Sequence, residues 1–154
     1  MPSALQHRPW PSWADSLSLG CAVLAIASFG HSRQVHDVTI TGMDYAFGVP
    51  ATIRPGLTAL TFENQGTVWH EMYLVRLKPG VSLDSMQRVP AGPQRRALIE
   101  GGGILLAGPG ERSIDRLLVD LKPGQTYTLI CNFRNEPDKP PHLELGMFTH
   151  FQAK

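Results

Sequence analysis

The sequence predicts an all-β domain, a sandwich or barrel of short strands, behind a short N-terminal appendage. Three observations lead there. Six or more short, apolar-patterned stretches follow one another with turn residues between them, as in sandwiches and barrels. Glycine (15) and proline (13) are spread along the chain without a period, which marks tight turns and argues against long helices. The 154 residues, 42% apolar and 18% charged, suit one folded core, which typically occupies about 100 to 150 residues. A formal net charge of +1 provides neither the basic field that nucleic acid requires nor an acidic field for a cationic partner.

Residues 1–30 read as an export signal. Arg8 and the amino terminus precede an uncharged apolar run of thirteen residues, Leu17 to Phe29. Small residues suited to cleavage follow at Ala25-Ile26-Ala27 or Ser28-Phe29-Gly30. The run is shorter than the roughly 20 residues of a membrane-spanning helix; an uncleaved anchor is the alternative reading. Ser18-Leu19-Gly20-Cys21 resembles a lipoprotein box, but most of the apolar stretch lies after Cys21. Cleavage would remove Cys21 and leave Cys131 alone in an exported, oxidising space with no disulfide partner.

The mature segment, 31–154, begins with Val35 to Thr41, alternating and β-branched, hence a strand. A Pro55-Gly56 turn leads into Leu57 to Glu63, with Thr58, Leu60 and Phe62 on one face. His70 to Leu77 is a further strand, ended by Lys78-Pro79-Gly80. Residues 81–110 break the rhythm and read as an inserted excursion. Within it Ser82 caps a short helix through Arg88, and Pro93 opens a second (QRRALIE) that Gly101 ends. The Arg95-Arg96 pair reads as a solvated helix face. Strands resume over Ile114 to Leu121, Gln125 to Phe133 and Leu143 to Gln152.

Chemistry concentrates near the carboxyl end. Cys131, His142 and Met147 supply a thiolate, an imidazole and a thioether in order, with ten and then four residues between them. Period-2 alternation places Tyr127, Leu129, Cys131 and Phe133 on one face, turning the sulfur into the core at a strand end. The loop to His142 holds three prolines and asparagine, and Pro140-Pro141 give the histidine a stiff, extended approach. Met147 falls on the first residues of the next strand. Upstream, Asn64-Gln65-Gly66-Thr67-Val68-Trp69-His70 is a turn leading into a strand, so His70 also sits at a strand end. One thiolate, two imidazoles and a weak thioether favour copper used in electron transfer. Zinc is the competing metal, although methionine is an unusual ligand for it.

The order His, Cys, His, Met, the N-x-G-x-x-x-H lead and the His142–Gly146–Met147 ending resemble the cupredoxins, the plastocyanin- and azurin-like blue copper proteins. The resemblance covers residues 35–154 and implies a Greek-key β-sandwich with one type 1 copper held by His70, Cys131, His142 and Met147. It further implies a periplasmic or otherwise exported single-electron carrier with a transient redox partner. Docking would occur at His142 on a small apolar surface of Pro140, Pro141 and Leu143. Three features depart from the plastocyanin-like pattern: a longer loop from Cys131 to His142, Glu71 where an asparagine often stands, and the 81–110 excursion.

Other residues take plainer readings. His150 lies on the opposite face of its strand and reads as surface, and His31 and His36 lie near the mature amino terminus. Met43, Met72 and Met86 share no spacing that marks a copper box. Trp69 adjoins His70, where an indole would shield the site from water. No catalytic residue is assigned, because copper enzymes of this superfamily need further histidine pairs and another domain. The remaining functional alternatives are copper storage, delivery or resistance, and a metal-free β-sandwich interaction domain; the expected state is a monomer without nucleic-acid partners.

Overall fold

The structure, a computed structural model, describes residues 34–90 and 92–154. The expected export signal at 1–30, with Cys21 and the neighbouring His31, lies outside the described residues.

Two four-stranded sheets make the domain. In chain order the elements are β1 (His36–Met43), β2 (Ala46–Gly48), β3 (Gly56–Asn64), β4 (His70–Leu77), α1 (Leu83–Gln87), α2 (Pro93–Arg96), β5 (Ile99–Ala107), β6 (Leu117–Leu121), β7 (Thr126–Ile130) and β8 (Phe148–Gln152). A 3₁₀ turn, His142–Leu145, precedes β8. One sheet runs β2-β1-β3-β6 and the other β5-β4-β7-β8. The β1–β3 pairing is parallel and the remaining ladders are antiparallel. This is the all-β sandwich that the strand pattern led one to expect.

Alternation explains the main core. Ile40, Leu60 and Phe62 of the first sheet meet Met72, Leu74, Leu105 and Leu129 of the second, each 5% exposed or less. Burial of such side chains is worth about 1.5–3 kcal/mol apiece. On the outer face of the second sheet a smaller core forms: Val75 and Ile130 are covered by Leu83 and Met86 of the α1 region and by Leu143. The strand β7 is thereby buried on both faces, which period-2 reasoning alone does not anticipate.

Several expectations change. The helix expected from Pro93 toward Gly101 stops at Arg96, and Ile99–Ala107 is β5, paired with β4 along most of its length. The excursion proper therefore ends before Ile99, and the rest of 81–110 through Ala107 belongs to the sheet. Three consecutive glycines hid that strand. Gly101 and Gly102 adopt φ of +66° and +137°, beside an irregularity opposite Leu74 to Arg76, a position that glycine fills at least cost. Arg95 is buried, its Nε donating to the Val89 carbonyl at 2.6 Å, so only Arg96 of the Arg95-Arg96 pair is exposed as expected. The Ser82 cap is present: its hydroxyl accepts from the Ser85 amide at 3.1 Å, and the Ser85 hydroxyl accepts from the Ser82 amide at 3.0 Å. β6 begins at Leu117, β7 ends at Ile130 and β8 starts at Phe148, each shorter than expected.

Candidate metal centre

At one end of the sandwich, where β4 begins and β7 ends, His70, Cys131 and His142 come together. All three are buried, with ligand atoms within 4.8 Å of one another. Their placement follows from local hydrogen bonding. Asn64, 1% exposed, accepts the Gly66 amide on Oδ1 at 2.9 Å and donates through Nδ2 to the Val68 and Ala107 carbonyls at 2.8 and 3.0 Å. That folds the turn and delivers His70 as the first residue of β4.

Cys131 directly follows β7. Its amide donates to the Met147 carbonyl at 3.2 Å, and its carbonyl accepts the Leu143 amide at 2.7 Å. The sulfur also accepts the Glu71 amide at 3.4 Å. Burial pushes the thiol pKa up to about 11. Glu71 supports the strand end a second time: Oε1 accepts from the Asn132 amide at 2.8 Å and from Asn132 Nδ2 at 3.2 Å. Glu71 thus ties the start of β4 to Cys131 and the residue after it.

His142 opens the 3₁₀ turn behind Pro141, which is extended at φ −65° and ψ 151° as the proline pair implies. Its amide donates to the Phe133 carbonyl at 2.9 Å, closing the loop. Burial, and after it the neighbouring His70, holds its pKa below the usual imidazole range. Gly146 then turns the chain with φ of +100°, a left-handed conformation that a Cβ disfavours. The Met147 amide returns to the His142 carbonyl at 2.9 Å. Met147 is fully buried, one residue before β8 rather than on it, and a Cβ on Gly42 would lie 3.5 Å from its methyl group.

The two imidazoles face each other through Nδ1, 3.0 Å apart. Cys131 Sγ lies 3.4 Å from His142 Nδ1 and 4.0 Å from His70 Nδ1. The opposite ring nitrogens have their own partners: His70 Nε2 meets Asp44 Oδ1 at 2.9 Å, and His142 Nε2 meets Asn135 Oδ1 at 3.0 Å. A carboxylate oxygen and an amide oxygen only accept. Each neutral ring therefore carries its proton on Nε2, and two unprotonated Nδ1 lone pairs point at one another beside a sulfur. A metal cation there would take both lone pairs together with the Cys131 sulfur, in place of the thiol proton. A trigonal metal at zinc-like bond lengths spaces its nitrogens by about 3.5 Å and nitrogen from sulfur by about 3.8 Å, close to the spacings observed. The residues present fit a thiolate-imidazole metal site.

Asp44 and Asn135 were not expected from sequence. Tyr45 was missed too: its ring meets that of His142 edge-on at 4.8 Å and that of His70 at 6.1 Å, and its hydroxyl accepts from Asn135 Nδ2 at 3.2 Å. Two expectations about the surroundings are corrected. Pro141 and Leu143 are buried, Leu143 in the smaller core, so with Pro140 they make no docking surface; Tyr45 and Asn135 cover His142 instead. Trp69 is 48% exposed and shields nothing at the site, because the residue before a buried strand-end histidine points the other way. His150 is exposed as expected, hydrogen-bonded to Thr128 Oγ1 at 2.9 Å. Met72 and Met86 are core, and Met43 is exposed.

No family model matches the chain, and no curated protein matches it in sequence. Solved structures do. Auracyanin A, a "blue" copper protein from Chloroflexus aurantiacus, superposes with a TM-score of 0.50 at 21% identity, over 79% of this chain and all of that one. Dithionite-reduced auracyanin from Roseiflexus castenholzii gives 0.49 at 19% identity over 77% of this chain and 96% of that one. Reduced rusticyanin gives 0.44 at 18% identity, over 78% and 77%. The domain described here has the cupredoxin fold.

Proposed function

We propose that the chain is an exported type 1 copper protein that carries single electrons, with His70, Cys131, His142 and Met147 as the copper ligands. The observation that carries this reading is the pair of inward Nδ1 atoms 3.0 Å apart beside the Cys131 sulfur, on a scaffold shared with a blue copper protein. Bound copper would supply a one-electron couple, Cu(II)/Cu(I), for which soft sulfur and imidazole together suit both states. The chain's own part is to hold its donors still. Cys131 and His142 are tied through the Met147 and Leu143 backbone, and His70 is fixed by the Asn64 turn, so little rearrangement accompanies the electron.

Burial of all four residues excludes water, and Tyr45 and Asn135, which touch His142, offer a route by which an electron reaches it. A near-neutral charge suits a transient, weakly steered partner. The apolar run at 17–29 supports export, and among the described residues no helix is long and apolar enough to cross a membrane. Replacing Cys131 with serine tests the reading: the variant should lose all thiolate-to-copper colour while remaining folded, and retained colour would remove Cys131 from the ligand set. Ready transfer of Cu(I) to an acceptor chelator, in place of reversible redox cycling, would move the function to copper delivery.

A further inference from the structure

The Asn64 to His70 lead does more than turn the chain. Two of its residues, Gly66 and Thr67, form a seat for the side chain of Asp44, in the turn that follows β1, the parallel neighbour of β3. The Thr67 amide donates to both carboxylate oxygens of Asp44, at 3.1 and 2.9 Å, and the Thr67 hydroxyl donates to Oδ2 at 2.6 Å. Oδ1 is thereby aimed at His70 Nε2, 2.9 Å away. Gly66 leaves the room for this meeting. A Cβ there would collide with Asp44 Oδ1 and come within 2.9 Å of His70 Nε2. Gly66 is not among the glycines with positive φ, so space rather than backbone conformation is what excludes a side chain.

We propose that Asp44 is the positioning residue for His70: its carboxylate accepts a hydrogen bond from Nε2–H and so presents an unprotonated Nδ1 to Cys131 and His142, while Gly66 and Thr67 hold the carboxylate in place. This rests on the copper reading of the same site. A metal-ligating histidine whose other nitrogen is held by a carboxylate gains basicity and a fixed ring orientation. A negative charge on the outer side of His70 also favours the more highly charged copper state, which places Asp44 among the groups that keep the reduction potential down.

The test uses the full chain and three variants, D44A, D44N and G66A. Nitrogen-15 shifts of the metal-free protein report the His70 tautomer without any copper. The wild type should show the Nε2-protonated form. D44A should show a mixture of tautomers and bind Cu(II) about 10- to 100-fold more weakly in competition with a chelator. G66A should behave like D44A although Asp44 is retained. D44N keeps an acceptor oxygen but loses the charge, so it should preserve the tautomer and raise the reduction potential. The proposal is overturned if D44A and G66A keep the wild-type tautomer, or if their Cu(II) affinity stays within about threefold of wild type. Should the wild type take up no copper, the copper reading fails by itself, and the tautomer measurement still decides the role of Asp44. If D44A does not fold, G66A carries the same decision.

Discussion

The Cys131 thiol holds its proton at neutral pH, because burial pushes its pKa up to about 11. Metal binds the thiolate, so copper uptake must expel that proton, and the exchange becomes easier as pH rises toward the thiol pKa. Apparent Cu(II) affinity should therefore increase about tenfold per pH unit between about pH 7.5 and 9, with one proton released per copper. Calorimetry in buffers of different ionisation enthalpy counts that proton; a pH-independent affinity would mean that the thiol is not a ligand. Asp44 shows the opposite shift. The Thr67 hydroxyl, first among several partners, lowers its pKa to about 2, so it stays charged wherever the site operates. These two residues also mark where sequence reading succeeds and stops. Cys131, His142 and Met147 fall within one loop and its flanking turns, so their spacing is visible in the chain. Asp44 lies 26 residues from the histidine it holds, and it is the parallel pairing of β1 with β3, Gly42 opposite Asn64, that sets the two turns side by side. Asn135 sits inside the readable loop, yet nothing in its neighbours distinguishes a residue that shapes the loop from one that also holds an imidazole.

Among the elements, the strands with a clean alternating pattern were legible: β4 begins and ends where its residues suggest, and β1 and β3 differ by one or two positions. The strand β5 was not, since its Gly101-Gly102-Gly103 run removes the side chains from which alternation is read. The strand β2 spans three residues, too few for any pattern. The excursion after β4 has a structural task. Met86, 1% exposed, covers Val75 and Ile130 together with Leu83 and Leu143, and Leu143 directly follows the His142 ligand candidate. Met86→Ala should lower unfolding free energy by about 2 to 5 kcal/mol, the range for truncating a buried large apolar side chain, as read from denaturant titration of the metal-free protein. A loss below about 0.5 kcal/mol would show that the helical excursion contributes little to the second core.

Across the whole molecule, the candidate site is a joint between the two sheets. His70 and Cys131 come from the second sheet, whereas Gly42 beside Met147 and Asp44 beside His70 come from the first. The donors are thus held by the packing of the main core, which accounts for a rigid cluster at the end of a small domain. The sandwich and the gathering of His70, Cys131 and His142 at one end of it were readable because strands and turns are local signals. The cover over His142 was not, because it depends on which side of the joint the β1–β2 turn falls.

One spectrum tests the reading most directly: visible absorption and paramagnetic resonance of the protein after one equivalent of Cu(II). Copper held by His70, Cys131, His142 and Met147 should give an intense thiolate-to-copper band with narrow copper hyperfine splitting. Weak spectra of an ordinary nitrogen-bound Cu(II), or no stoichiometric uptake, would contradict it and leave the buried cluster without its metal.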